Sequence, residues 1–199
     1  MMKPNVAFNG DHYHKPIFMS SKFVEYNGSV MSIDPSGRGK DETGYAVVKI
    51  LNGYLYVHRC GDIAGVYSEE ALQKLAVIAK EVQVNEIIVE SNFGDGMVNQ
   101  LFLPVLSKVH SVTLSEVHHN TQKERRIIDV LEPVMNQHTL LMDKKVIQKD
   151  FDSCQHLPPE QTPRYQLMYQ LTRLTADPGA LTIDDRLDAL VMTCRYWVD

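Results

Sequence analysis

Two mostly apolar runs that each end in an acidic residue constrain this chain more than any other feature. Residues 30–33 lead directly into Asp34, and residues 87–89 lead directly into Glu90. Runs of this kind predict short strands buried inside a sheet. If the two strands are neighbours, both carboxylates lie at the same rim, where they repel each other unless a cation lies between them. The alternative is that each acid simply ends a strand at a turn.

The remaining pattern predicts a mixed sheet covered by helices. Asn52-Gly53 is a two-residue hairpin signal, so the strands on either side of it are antiparallel. The predicted elements are strands at 29–34, 45–50 and 54–59, a helix from Ser68 to about 82, a strand at 86–90, a helix at 96–108, a strand at 111–117, helices within 123–175 with a short extended piece at 139–142, and a last helix at 183–197. Hairpins followed by crossovers predict an α/β fold with a five-stranded sheet, antiparallel and then parallel. A ribonuclease H-like fold has this order, and several other α/β folds share it.

The last predicted helix supplies a third group of acids, Asp184, Asp185 and Asp188. At about 100° per residue, Asp185 and Asp188 lie roughly 60° apart on one face. The adjoining apolar face contains Leu187, Leu190, Val191 and Cys194. Acids at a helix start are favoured by the helix dipole, which explains one or two of them without any ligand. Asp188 is explained less well, because an unpaired carboxylate beside an apolar face is costly and a metal ion removes that cost.

Composition leaves the class of partner open. A chain of 199 residues fits one domain, and a net charge of −5 argues mildly against a general nucleic-acid binder without excluding a local basic patch. The three cysteines are far apart and odd in number, which favours a reducing cytosol. No apolar run is long enough for a membrane span, and the polar N-terminus lacks a signal-peptide core.

Three short segments are rich in basic residues. Arg38 and Lys40 lie in a loop after Asp34 whose glycine spacing does not match an ATP-binding phosphate loop. Lys123, Arg125 and Arg126 begin a predicted helix, where cations oppose the helix dipole and phosphate contact would explain them. Lys144, Lys145 and Lys149 form a weaker stretch. A solvated surface explains each group about equally well.

Three acidic segments carry a resemblance to a known family. They are Ser32-Ile33-Asp34-Pro35-Ser36-Gly37 with Asp41-Glu42-Thr43-Gly44, then Val89-Glu90-Ser91-Asn92, then Asp184-Asp185-Arg186-Leu187-Asp188-Ala189-Leu190. In this order they resemble the nuclease domain of tailed-phage terminase large subunits, over about residues 29–198. The basic segment that begins at Lys123 is similar to the short-tailed-phage branch, and the last acidic segment is also similar to Holliday-junction resolvases of the same ribonuclease H-like superfamily.

The resemblance implies an endonuclease that cuts concatemeric double-stranded viral DNA during genome packaging. It implies Asp34, Glu90 and Asp185 as catalytic metal-binding acids, with Asp184 or Asp188 assisting. It further implies an ATPase motor domain in the intact large subunit, a phage portal and a small terminase subunit as partners, and a location in the host cytoplasm at the capsid portal. Because the chain lacks an ATPase loop, we expect residues 1–28 to be a linker or arm and residues 29–199 to be the nuclease domain.

Two Mg²⁺ or Mn²⁺ ions are the expected cofactors, because hard oxygen ligands suit these metals. We expect Asp34 to bridge both ions, Glu90 to hold one, and Asp185 with Asp188 to hold the other. The alternatives are a resolvase-like endonuclease and a non-cleaving module that docks DNA or a portal.

Overall fold

The fold was analysed in a computed structural model, which describes residues 3–6, 12–15, 21–35, 43–65, 68–91, 96–118, 122–177 and 179–198. The strands are β1 (Lys3–Val6), β2 (His12–Lys15), β3 (Gly28–Asp34), β4 (Thr43–Leu51), β5 (Tyr54–Ile63), β6 (Glu86–Glu90), β7 (Thr113–Val117) and β8 (Leu140–Met142). The helices are α1 (Glu69–Val82), α2 (Met97–Val109), α3 (Lys123–Asn136), α4 (Lys144–Ser153), α5 (Leu167–Arg173) and α6 (Asp185–Val198), with a short 3-10 helix at Thr162–Tyr165.

The central sheet is mixed, as the sequence predicts. Its strand order is β7-β6-β3-β4-β5-β8, while β1 and β2 form a separate antiparallel pair. Strand β3 is antiparallel to β4, and β4 to β5, whereas β3 with β6, β6 with β7, and β5 with β8 are parallel. The α/β prediction is therefore confirmed, with one more strand than the five expected. The additional strand is β8, which the sequence predicts only as a short extended piece, because its hydrophobic pattern is too short to identify a strand.

Two short strands, which the sequence analysis does not predict, lie within residues 1–28. Residues 1–28 contain no periodic pattern, yet β1 and β2 pair over four residues each. A two-stranded pair of this length has little apolar periodicity, so its signal in the sequence is weak.

Helices cover both faces of the sheet. On one face, α1 and α2 pack against a core that includes Met31, Ile33 and Val47. Helix α1 begins where the Ser68 hydroxyl accepts a hydrogen bond from the Ala71 backbone N–H at 3.2 Å, which satisfies a free donor of the first turn. On the other face, α3, α4, α5 and α6 enclose a second core. No helix in the described ranges is long and apolar enough to cross a bilayer.

Helix α6 lies directly on strands β3 and β4. The predicted apolar face is confirmed, because Leu187, Leu190, Val191 and Cys194 are fully buried. The Ser32 hydroxyl donates a hydrogen bond to the Ala189 carbonyl at 2.5 Å. At Gly44 a Cβ atom would overlap the Asp185 backbone carbonyl, so the absence of a side chain lets the start of α6 approach β4.

A buried cation that the sequence analysis did not single out holds α6 in place. Arg186 is 2% exposed and pairs with Asp150 at 2.7 Å and with Asp62 at 2.6 Å. The Asp150 carboxylate also accepts hydrogen bonds from the Leu167 and Met168 backbone N–H groups at the start of α5. Arg186 therefore joins β5, α4, α5 and α6.

Replacing Arg186 by methionine leaves the Asp150 carboxylate buried without its cation. We expect the free energy of unfolding to fall by about 3–5 kcal/mol, as is typical when one partner of a buried ion pair is removed. Urea denaturation followed by circular dichroism measures this loss. Arg125→Met is the matched control: Arg125 is 81% exposed and meets Asp129 at 3.8 Å, so its loss should change stability by less than about 0.5 kcal/mol. Equal stability of the two variants would contradict the assignment of Arg186.

Candidate metal centre

Three carboxylates from three different elements meet at one rim of the sheet. Asp34 ends β3, Glu90 ends β6, and Asp188 lies in the first turn of α6. Each offers one ligand oxygen, and these oxygens all lie within 4.8 Å of one another. The parallel pairing of β3 with β6 brings the first two together, because the carboxyl ends of parallel neighbours share an edge. The condition set by the sequence, that these strands be neighbours, is therefore met.

The three acids are crowded and largely removed from water. Glu90 is 7% exposed and Asp188 is 2% exposed. Burial raises the pKa of Asp34 well above its usual range, and repulsion from Asp188 and Glu90 raises it further, while Lys123 acts in the opposite direction. Such a group favours a bound cation or a proton, because ionised carboxylates at this separation repel each other.

Two cations from the first turn of α3 partly balance this charge. Arg126 lies 2.5 Å from Asp188 through Nη2 and 3.4 Å from Glu90 through Nη1. Lys123 Nζ lies 3.1 Å from the second Asp188 oxygen and 2.9 Å from Asp184. Burial lowers the pKa of Lys123, but the attraction of Asp188 and Asp184 outweighs it and raises that pKa overall. Both oxygens of Asp188 thus face a positive charge.

Arg126, which the sequence analysis assigned to DNA contact together with Lys123 and Arg125, is buried against the acids. The Arg126 side chain is 5% exposed, and its Nε has no hydrogen-bond partner in the described part of the chain. Residues three apart on a helix share a face, and here the face of Lys123 and Arg126 turns inward to the acids. Arg125 points outward, with its side chain 81% exposed. The sequence shows cations at a helix start but does not show which of them meets an acid from α6.

The other predicted site residues lie apart from the group of three acids. Asp184 precedes α6 and is bound by Lys123. Asp185 is the first residue of α6, is partly buried and makes contacts of its own. Its ligand oxygens are not in the group formed by Asp34, Glu90 and Asp188. Arg38 and Lys40 lie outside the described residues.

The chain is similar to known proteins both in sequence and in fold. Residues 33–140 match the family model described as Terminase Bacteriophage T7, Ribonuclease H-like domain. The terminase large subunit of Enterobacteria phage T3 is 45% identical over 193 residues, which are 97% of this chain and 33% of that protein. The chain therefore spans about one third of the length of this curated relative.

Two solved structures show the same fold at low identity. The gp2c of the bacteriophage Sf6 large terminase subunit, a K428A mutant solved with calcium, has a TM-score of 0.61 and 14% identity, covering 85% of this chain and 88% of that one. The human cytomegalovirus terminase nuclease domain, soaked with manganese and bound to an inhibitor, has a TM-score of 0.59 and 15% identity, covering 87% of this chain and 84% of that one. The family match covers more than half of the chain and spans the ends of both acid-bearing strands, so this chain belongs to the ribonuclease H-like domain family of bacteriophage T7-type terminases.

Proposed function

We propose that this chain is a divalent-metal-dependent endonuclease that cuts double-stranded DNA. The observation that carries the proposal is the meeting of Asp34, Glu90 and Asp188 at one rim, with ligand oxygens within 4.8 Å of one another. Relatives in fold were solved with manganese or calcium, and the chain has an all-oxygen donor set that suits Mg²⁺ or Mn²⁺.

The charges of the site support the fit of a divalent cation. Asp34 has a raised pKa because burial and two neighbouring acids disfavour its ionised form. The cations of α3 meet Asp188, Asp184 and Glu90. Among the described residues no ion pair joins Asp34 to a cation, although Lys123 is near enough to lower its pKa. A divalent ion beside Asp34 and Glu90 would remove this imbalance.

The residues of the site have separable roles in the proposed reaction. Bound Mg²⁺ or Mn²⁺ supplies a water of lowered pKa and stabilises negative charge on the leaving 3′ oxygen. Asp34, Glu90 and Asp188 would hold this metal, and we propose Asp188 rather than Asp185 as the main ligand from α6. Arg126 orients Glu90 and Asp188 from within the protein, and Lys123 orients Asp184 and Asp188 at the more exposed side.

Contacts to the DNA backbone belong to the exposed cations near this rim. Arg125 neighbours Arg126 on α3 and faces solvent. We propose the same role for Arg38 and Lys40, because both follow Asp34 within a few residues of the sequence. Lys123 is 38% exposed, so it can meet a phosphate as well as its acids.

The biological role follows from the family. We propose that residues 29–199 act as the nuclease domain of a terminase large subunit, behind an arm formed by residues 1–28. In that role the domain would cut concatemeric viral DNA in the host cytoplasm, working with an ATPase motor domain, a small terminase subunit and the capsid portal. The T3 relative is itself a terminase large subunit.

Neutral replacements of the three converging acids should abolish cleavage. We expect Asp34→Asn, Glu90→Gln and Asp188→Asn each to slow Mn²⁺-dependent plasmid nicking by more than about 100-fold, because each removes a metal ligand. Asp185→Asn should slow it by less than about tenfold, since Asp185 lies outside the group. Gel analysis of initial rates with Mn²⁺ and with EDTA gives the measurement.

Asp129→Asn is the control, because Asp129 is 69% exposed and pairs with Arg125 on the outer face of α3. Full activity of both the Asp34 and the Asp188 variant would refute the proposed site. Faster cutting of four-way junctions than of linear duplex would favour the resolvase-like alternative, and unchanged DNA affinity without any cleavage would favour a docking module.

The same crowding predicts an effect on stability. Because the pKa of Asp34 is raised in the folded protein, ionising its carboxyl group lowers the stability of the fold; this cost is complete above the raised pKa and is lost as the pH falls towards the ordinary pKa of an aspartate. Asp34→Asn removes the charge and should raise the melting temperature in EDTA by about 2–4 °C, equivalent to about 1 kcal/mol. Differential scanning fluorimetry should also show that Mn²⁺ stabilises the wild type but not this variant. A lower melting temperature in EDTA would contradict the repulsion that we describe.

A further inference from the structure

A second charged surface lies away from the carboxylate rim, around the ring of Tyr26. The ring packs edge to face against Tyr56, with centroids 5.3 Å apart, and against His58, at 5.0 Å. Lys49 Nζ lies 5.2 Å from the centre of the same ring. These contacts bring side chains from β4 and β5 together on a part of the sheet that is half exposed.

Positive charges are concentrated here. Burial lowers the pKa of Lys49, and the positive charge of the nearby Arg59 lowers it further. Burial, Lys49 and Arg59 together lower the pKa of His58 to about 4, so His58 is uncharged at neutral pH. Arg59 Nη1 donates a hydrogen bond to the His58 carbonyl at 2.9 Å, and Arg59 forms no ion pair with an acid of the described residues.

The start of α4 adds two more cations beside them. Strand β8 pairs with β5 and leads into Asp143, whose carboxylate is near enough to act on the pKa of both Tyr26 and His58. Lys144 and Lys145 follow directly and are exposed. Asp143 caps the helix by accepting a hydrogen bond from the Lys145 backbone N–H at 2.7 Å. Two lysines in a first helical turn oppose the dipole, so their place there is not explained by helix stability.

These four cations differ from those at the carboxylate rim. Among the described residues, Lys123 and Arg126 form ion pairs with acids of the rim. Lys49, Arg59, Lys144 and Lys145 form no ion pair with any described acid. Asp143 is the acid that lies near them and acts on the pKa of His58. In a chain whose net charge is −5, a local surplus of this kind indicates an anionic ligand.

We propose that Lys49, Arg59, Lys144 and Lys145, here called the basic face, bind the phosphate backbone of duplex DNA at a site separate from the carboxylate rim. The proposal rests on the proposed function as a DNA nuclease. Lys49 lies five residues along β4 from Gly44, the partner of Asp34 in the sheet, or about 17 Å at about 3.4 Å per residue. That distance corresponds to about five base pairs of B-DNA. A duplex bound at the rim is therefore long enough to reach the basic face as well.

Electrostatic contact to phosphates has a measurable signature, because each neutralised phosphate releases condensed counterions. The test uses the full chain, a short fluorescein-labelled duplex and fluorescence anisotropy in EDTA, which prevents cleavage, over a series of NaCl concentrations. We expect Lys144→Ala with Lys145→Ala, and separately Lys49→Ala with Arg59→Ala, to raise Kd roughly tenfold. The slope of log Kd against log salt should fall by about 0.9 for each phosphate that the variant no longer neutralises.

Lys80→Ala with Lys108→Ala is the matched control. Both lysines lie in the last turns of their helices, α1 and α2, and both are exposed. The control should keep the Kd and the salt slope of the wild type. Lys144 and Lys145 are surface residues, so their double variant remains informative even if the half-buried Lys49 and Arg59 pair affects folding.

An unchanged Kd and salt slope in the Lys144 and Lys145 variant would overturn the proposal, and the basic face would then be left for an acidic protein partner. Equal weakening in the control would also overturn it, because the effect would be one of total charge. The proposed function fails by a different result. If wild-type protein does not nick plasmid with Mn²⁺, the nuclease assignment is wrong whatever the anisotropy shows.

Discussion

The repulsion among three crowded carboxylates, of which Glu90 and Asp188 are buried and Asp34 is partly buried, is the constraint on which the rest of this structure depends. Asp34, Glu90 and Asp188 are held closer together than free carboxylates would remain. Arg126 makes this possible, because it sits among the acids with 5% of its side chain exposed and meets two of them. Lys123 engages the other oxygen of Asp188. The site therefore contains charges of both signs. The fold positions the cations next to Glu90 and Asp188, whereas Asp34 forms no ion pair among the described residues.

Holding Asp188 in this group requires that the start of α6 be fixed to the sheet. Three independent contacts do so: the Ser32 hydroxyl meets the Ala189 carbonyl, Gly44 permits the approach of the Asp185 carbonyl, and Arg186 joins the helix to acids of β5 and α4. Two of these residues flank Asp34 in the sheet, since Ser32 precedes it on β3 and Gly44 is its partner on β4. The same local backbone therefore positions the acids of β3 and α6, which explains how elements distant in sequence meet to within a few ångströms.

The sequence predicts the fold better than it predicts the site. Strands that end in Asp34 and Glu90 carry a strong apolar pattern, so their type can be inferred, and the apolar face of α6 has clear helical spacing. Whether the two strands are neighbours is decided by the sheet, where β3 pairs with β6. Strand β8 is predicted only as a short extended piece, because three residues carry too little hydrophobic pattern to identify a strand. The role of the cations of α3 is not predicted for another reason. Periodicity shows that Lys123 and Arg126 share a helix face, but only the packing of α3 against α6 makes this face contact acids and not solvent. In the same way, helical spacing places Asp185 and Asp188 on one face of α6. The position of the helix on the sheet brings the Asp188 carboxylate close to those of Asp34 and Glu90.

The internal cations also bear on how metal binding relates to folding. In small metal-stabilised domains the ligands have no other partners, so the metal supplies the free energy of folding. Here Asp188 and Glu90 already have a guanidinium between them, and two cores of apolar side chains enclose the sheet. We therefore expect the chain to fold without a divalent ion, and the ion that we propose would add stability through mass action, to an extent set by its concentration and affinity. In the proposed site the metal affinity would depend on the balance between repelling acids and neighbouring cations, so Arg126 and Lys123 would tune the affinity for the ion without being ligands themselves.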